Sequence, residues 1–207
     1  MSQPKLVYYF TLTSPWAYFG HQILVDMAKR HGVKIDYRPV SLGQIFPATG
    51  GLPVSKRAPA RQAYRLVELQ RWRVRRGIHV NLQAKFFPFD VSLADRALIA
   101  VLEAGVPADD FILRSFAAVF AQDRNMADRA ELGRVLTEAG LEAEKLLARA
   151  ESDEIGEKYQ ENIRLALAEN VFGSPAYVLN GEVFWGQDRL DLLEEALASG
   201  RAPFRAD

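Results

Sequence analysis

The sequence predicts an α/β protein with strands near both ends of the chain and helices between them. Residues 5–12 are rich in aromatic and branched side chains and residues 33–40 alternate with a period of two, so both ranges are predicted strands. Asn180-Gly181 separates two further short apolar runs and favours the tight turn of a β-hairpin. Roughly 90 residues before this hairpin have mainly helical periodicity. The predicted order is therefore βαβ, a block of helices, and αββα.

The first helix is predicted from the change of period at Trp16. Apolar and small residues then recur on one helical face as far as His31, and Gly32 ends the helix. Because this helix joins two strands, we expect the strands to be parallel, with a right-handed crossover.

The remaining elements follow from breaker residues and helical periods. Residues 44–60 contain three prolines and two glycines, which predicts a loop or a broken connection. The hairpin strands are predicted at residues 176–179 and 182–185, and a last helix at residues 189–199. The predicted helices between them cover residues 60–76, 92–104, 108–121, 128–139, 142–150 and 153–169.

The composition excludes several classes of function. The 26 basic and 26 acidic side chains cancel, so no global field attracts nucleic acid or a membrane. The absence of cysteine excludes disulfides, thiolate metal sites and thiol redox chemistry by the protein itself. The three histidines, His21, His31 and His79, do not have the spacing of metal ligands, so no metal site is predicted.

The sequence also bears on where the protein resides. No apolar run approaches the ~20 residues that a membrane-spanning helix needs, and the N-terminal residues lack the pattern of a signal peptide. We therefore expect a soluble protein, and the lack of cysteine fits a cytoplasmic location.

Ser14 precedes Pro15 at the junction between the first predicted strand and the first helix. Serine at the N-cap followed by proline is a common helix start, because the hydroxyl accepts a free backbone N–H and proline fits the first turn. The same hydroxyl lies at the positive end of the helix dipole, where it can stabilise an anion such as a bound thiolate. Local sequence favours the cap, and the two roles are compatible.

Two later segments are further candidates. Ser174-Pro175 precedes the hairpin, and a cis bond there would present the serine backbone to an extended ligand. Gln187 and Asp188 precede the last helix; Asp188 is a natural N-cap, and the pair could also bind a zwitterionic amino-acid group.

Residues 56–77 carry eight basic side chains opposed by Glu68 alone. A solvated helix face is the ordinary explanation of such a run, and the zero net charge argues against nucleic acid. A small anionic ligand needs only one or two of these arginines, among them Arg61.

Four segments, in this order, resemble the glutathione-dependent 2-hydroxychromene-2-carboxylate isomerases, relatives of kappa-class glutathione transferases and DsbA-type proteins. The resemblance implies a thioredoxin-like fold formed by residues 1–43 and 153–207, with an all-helical domain inserted over residues 44–152. The four segments are TLTSPWAYFG, SLGQIFPATGG, FPFDVSLADRA and NVFGSPAYVLNGEVFWGQDRLDLLEEAL.

The same resemblance implies glutathione as the cofactor. Ser14 stands where redox relatives have the first cysteine of Cys-x-x-Cys, so the thiol must come from outside the chain. Ser14, followed by Pro15 and Trp16, would hydrogen-bond the glutathione sulfur and favour its thiolate, the better nucleophile.

Other contacts are implied in the same way. The backbone of Ser174, before a cis Pro175, would pair with the cysteinyl part of glutathione, and Gln187 with Asp188 would bind its γ-glutamyl end. Arg61 stands where relatives often have lysine and could bind the substrate carboxylate. Gly51 stands where relatives often have asparagine, which removes one polar contact with the ligand.

The implied reaction is cis–trans isomerisation of a hydroxyaryl-pyruvate double bond in aromatic catabolism, by a cytoplasmic homodimer. The substrates would be small aromatic carboxylates, 2-hydroxychromene-2-carboxylate and trans-o-hydroxybenzylidenepyruvate or their analogues. Two alternatives stay open: a kappa-like glutathione transferase that conjugates small electrophiles, and a non-catalytic thioredoxin-fold protein that binds peptides.

Overall fold

The sheet is built around strand β1 (Leu6–Phe10), whose five residues are all buried. It pairs in parallel with β2 (Ile35–Pro39) and antiparallel with β3 (Ala176–Leu179), which pairs antiparallel with β4 (Glu182–Trp185). The strand order is β2-β1-β3-β4 in this computed structural model, which describes residues 5–206. The parallel opening unit and the hairpin at Asn180-Gly181 are both confirmed.

Helix α1 (Pro15–Arg30) connects β1 to β2, and most helices of the middle segment have nearly the predicted bounds. The last predicted helix is in two parts: a 3₁₀ turn at Gln187–Arg189, then α9 (Leu190–Ser199). The helices that match the predicted middle helices are α3 (Pro59–Arg76), α4 (Ser92–Glu103), α5 (Asp109–Phe120), α6 (Arg129–Glu138), α7 (Ala143–Ala150) and α8 (Asp153–Ala168).

The prediction of a loop or a broken connection over residues 44–60 is only partly right, since residues 50–53 and 57–58 lie outside helices. This range contains most of helix α2 (Leu42–Thr49) and a 3₁₀ turn at Val54–Lys56. Pro47 lies inside α2, but Ile45 of the same helix is completely buried and α2 packs on α8. Tertiary packing thus outweighs the helix-breaking tendency of one proline here, and the helix ends at Gly50 with φ of +76°.

The buried apolar side chains form one continuous cluster that includes the sheet and the helices of the middle segment. Helix α4 contacts β2 and α8, and α5 contacts α1. The division into residues 1–43 with 153–207 and an inserted domain over 44–152 stays a prediction, and the two parts share this core. Within residues 5–206, no helix has both the length and the apolar character needed to cross a membrane.

Candidate active site

Ser14 lies at the N-cap of α1, as predicted. Its backbone is extended, with φ of −104° and ψ of 111°, and its Oγ accepts a hydrogen bond from the backbone N–H of Ala17 at 3.2 Å. Pro15 occupies the first helical turn, where its missing N–H costs nothing. The hydroxyl is therefore fixed at the positive end of a 16-residue helix.

The hydroxyl of Ser14 also reaches the loop before β3. Its Oγ donates to the carbonyl oxygen of Ser174 at 3.2 Å, and the Ser174–Pro175 peptide bond is cis. The Oγ of Ser174 in turn accepts a hydrogen bond from the backbone N–H of Thr11 at 3.3 Å. Two of the predicted site segments, 160 residues apart in sequence, are thus in direct contact.

A buried carboxylate that the sequence analysis missed supports this junction. Asp95 on α4 is completely buried and accepts hydrogen bonds from the Thr11 hydroxyl, the Leu12 N–H and the Tyr159 hydroxyl, at 3.0, 3.0 and 2.9 Å. Burial raises the pKa of Asp95 to about 7, although these donors act in the opposite direction. The available signal was an acid close to Ala94 and Ala97, on the apolar face of this helix.

A cavity of ≈ 780 Å³ opens beside Ser14. Its walls come from the start of α1, from α2, α3 and the segment between them, and from the loop before α4. The segment preceding β3 and Trp185 of β4 complete the walls. Most of the wall is apolar. Its aromatic residues are Trp16, Phe46, Phe87, Phe89, Phe172 and Trp185. A cavity of this size and character is typical of small-molecule sites.

Three arginines of the basic segment, Arg57, Arg61 and Arg65, line one side of this cavity. They are spaced four residues apart, so Arg61 and Arg65 follow each other along one face of α3. Among the described residues, no aspartate or glutamate lines the cavity. The charge of the cavity wall is therefore strongly positive, although the net charge of the whole protein is zero.

The other predicted contacts lie outside this cavity. Pro175 is buried behind Ser174, and the Oε1 of Gln187 accepts two hydrogen bonds from Arg76, at 3.0 and 2.8 Å. Asp188 is half-exposed, with its carboxylate 3.5 Å from Arg189. The N-cap prediction for Asp188 is wrong, because Asp188 lies within the 3₁₀ turn and α9 has no side-chain cap.

A cofactor with negative charge fits this set of residues better than a metal ion does. The cavity offers hydroxyl, guanidinium and backbone donors, whereas a cation needs several oxygen or imidazole ligands. Within the described part of the chain, no three His, Cys, Asp or Glu side chains come together in a group that could hold a metal.

The chain belongs to the family described as the DSBA-like thioredoxin domain, whose profile matches residues 5–198. It has the DsbA-like thioredoxin fold, and the match confirms the fold predicted from the four sequence segments.

Two curated relatives show which kind of protein the chain resembles within this family. A protein named 2-hydroxychromene-2-carboxylate isomerase from Sphingobium xenophagum is 28% identical over 191 residues, covering 92% of this chain and 96% of the relative. One of the same name from Pseudomonas putida is 28% identical over 194 residues, covering 92% of each chain. The resemblance to isomerases of this name is thereby confirmed.

Solved structures show the same fold. The structure of a 2-hydroxychromene-2-carboxylate isomerase superposes with a TM-score of 0.75 at 24% identity, over 94% of each chain. The cytosolic disulfide reductase DsbM from Pseudomonas aeruginosa, in a structure with GSH, superposes with a TM-score of 0.66 at 19% identity, over 95% of this chain and 98% of DsbM.

Proposed function

We propose that this protein is a glutathione-dependent isomerase of small aromatic carboxylates, with 2-hydroxychromene-2-carboxylate and trans-o-hydroxybenzylidenepyruvate as its substrates. The observation that carries the proposal is the position of Ser14, a buried hydroxyl at the N-terminus of α1 on the wall of a cavity lined by three arginines. The names of the curated relatives support the reaction, and the GSH bound in the DsbM structure supports the cofactor.

The proposed role of Ser14 is to hold the glutathione sulfur as a thiolate. The Ser14 hydroxyl has one proton, which it donates to the carbonyl of Ser174. When the cofactor binds, the O–H bond must turn from this carbonyl toward the sulfur. The carbonyl that it leaves is then free to accept the cysteinyl N–H of the cofactor. This exchange keeps both buried groups of the protein hydrogen-bonded in both states.

The cofactor supplies one chemical capability that the cysteine-free chain lacks. When bound, glutathione would supply a thiolate nucleophile for reversible addition to the conjugated carbon, so that the former double bond could rotate before elimination restores it. The residues of the protein stabilise the thiolate and orient the substrate, and the apolar cavity wall limits the access of water.

Other residues are proposed to position the two ends of the cofactor. Trp16, beside Pro15 at the start of α1, would pack against the cysteinyl part of glutathione. Arg61 would pair with a carboxylate of glutathione. Asp188 lies three residues after the cavity residue Trp185, so its half-exposed carboxylate could bind the γ-glutamyl ammonium. Gln187 would act indirectly, since its oxygen is held by Arg76.

A role in aromatic catabolism, a cytoplasmic location and a homodimer are proposed together with this function, because the isomerase resemblance implies them. The proposal predicts that a calorimetric titration detects glutathione binding, and that S-methylglutathione binds more weakly because it cannot form a thiolate. Absence of binding by both compounds would contradict it. Net consumption of glutathione with an aryl electrophile would instead indicate the transferase alternative.

A further inference from the structure

We propose that Arg65 binds the carboxylate of the aryl substrate and so makes the cavity selective for aryl carboxylates over neutral analogues. This inference deepens the proposed function and rests on it. The sequence suggests Arg61 as the residue that binds the substrate carboxylate. We assign this role instead to Arg65, the next arginine along α3.

Arg65 is partly withdrawn from solvent and has no counterion in the part of the chain that the structure describes, whereas Arg61, one turn earlier in α3, is exposed. Burial, and then the nearby Arg57, lowers the pKa of Arg65 to about 10. No acidic side chain among residues 5–206 forms an ion pair or hydrogen bond with its guanidinium. A cation held in this environment gains much from an anionic ligand, because little water competes for it.

The aromatic neighbour of Arg65 points to the kind of ligand. The guanidinium carbon lies 5.2 Å from the centroid of the Phe87 ring, and Leu66 and Leu82 also line the cavity. Stacking on an aromatic ring fixes the plane of a guanidinium, which leaves its edge free for a bidentate carboxylate. An aryl ring would pack on the apolar wall while its carboxylate meets Arg65.

Arg57 and Arg61 are placed differently. The Nε of Arg57 donates to the carbonyl of Leu52 at 2.8 Å, and Arg61 is exposed. Leu52 is itself 48% exposed, so this end of the arginine row lies toward solvent. A polar tripeptide fits that end better than an aromatic ring does.

The negative charges of the two proposed ligands balance the positive charges of Arg57, Arg61 and Arg65. Glutathione with an ionised thiol has a net charge of about −2 at neutral pH, from two carboxylates, one thiolate and one ammonium. An aryl pyruvate adds about −1. Cofactor and substrate together would therefore balance the three cations that line the cavity.

The test compares Arg65→Gln with Arg75→Gln, which removes an exposed arginine of the same helix that does not line the cavity. Isomerase kinetics would be measured with an aryl carboxylate substrate and with its primary amide, and glutathione affinity by calorimetry. We expect Arg65→Gln to raise KM for the carboxylate by about 10- to 100-fold, the loss typical of a charged hydrogen bond. KM for the amide and the Kd of glutathione should change less than about twofold, and Arg65→Lys should recover part of the loss.

Equal loss on carboxylate and amide, weaker glutathione binding in Arg65→Gln, or no change at all would each overturn the inference. A second titration separates it from the proposed function, using trans-cinnamate as the probe without glutathione. If cinnamate binding depends on Arg65 but glutathione does not bind the native chain, the anion site stands and the glutathione proposal fails. If glutathione binds and the isomerase is active, but Arg65→Gln is unaltered, only the inference on Arg65 fails.

Discussion

Ser14 combines a structural and a proposed catalytic role in one hydroxyl. It accepts the Ala17 N–H and donates to the Ser174 carbonyl, so its removal affects both the helix start and the contact between two loops. We expect Ser14→Ala to lower the free energy of unfolding by about 1 to 2 kcal/mol, the usual cost of a lost cap. The glutathione-dependent rate should fall by ~100-fold or more, since one donor to a developing or bound anion typically contributes this much.

Ser152→Ala is a matched control for that variant. Ser152 caps α8 by accepting the N–H of Ile155 at 3.4 Å, and it does not line the Ser14 cavity. It should cost a similar free energy of unfolding, measured by chemical denaturation, and leave the isomerase rate unchanged. An equal loss of activity in both variants would mean that Ser14 contributes stability alone.

Asp95 predicts a distinctive dependence of stability on pH. Its pKa is raised from 3.8 to about 7, so the folded state binds a proton that the unfolded state releases between these values. The stability contributed by this group is therefore greatest below pH 4 and declines as pH rises to about 7, by up to about 4 kcal/mol.

Asp95→Asn isolates this effect, because asparagine cannot titrate but retains an oxygen for the Leu12 N–H. The free energy of unfolding of the native protein relative to this variant should decrease between pH 4.5 and 7.5, as measured by denaturant titrations. A difference that stays constant over this range would contradict the raised pKa. Burial also lowers the pKa of His21 to about 4, so the contribution of His21 to stability rises with pH. Because His21 is present in both proteins, its contribution cancels in the difference between them.

At the scale of elements, sequence patterns predicted most helices and strands because their periodicity is local. Helix α2 was missed because its stability comes from Ile45 packing in the core and from contact with α8, more than 100 residues away in sequence. The site was only partly predictable for the same reason. Ser14 and Ser174 carry local signals in their Ser-Pro pairs, whereas Asp95 gains its role from residues 83 and 84 positions away.

Gly173 links the hairpin to the mouth of the cavity, which we define by the exposed lining residues Phe172 and Trp185. A Cβ at this position would lie 2.3 Å from the Nε1 of Trp185, so the ring of Trp185 must move if a side chain is added. Trp185 also makes an edge-to-face contact with Phe172, at a centroid distance of 4.9 Å, and both line the cavity. The packing of β4 against the preceding loop therefore shapes the mouth of the cavity.

We expect Gly173→Ala to displace Trp185, to change tryptophan fluorescence and to weaken glutathione binding by about tenfold, or ~1.4 kcal/mol. Gly43→Ala is the control, since a Cβ at Gly43 makes only an ordinary contact, 3.5 Å from the Ser41 Oγ. Gly43 also lines the cavity but lies in a helix, where alanine is favoured. Unchanged fluorescence and affinity in Gly173→Ala would show that the mouth tolerates the added methyl group.

At the scale of the whole molecule, one continuous core joins the segments that the sequence predicts as two domains. Asp95 adds a polar connection, since it links α4 of the middle segment to the loop after β1. A shared core favours cooperative unfolding. We expect a single transition in urea, with the same midpoint by far-ultraviolet circular dichroism and by tryptophan fluorescence. Two separate midpoints would instead support two independently stable domains.

We propose that a thioredoxin fold without cysteine uses an external thiol and returns it unchanged. The most direct measurement follows the interconversion of 2-hydroxychromene-2-carboxylate and trans-o-hydroxybenzylidenepyruvate by absorbance, with and without glutathione, and assays free thiol at the end. We expect turnover only with glutathione and no net loss of thiol. Full activity without glutathione, or loss of one thiol for each substrate consumed, would contradict it.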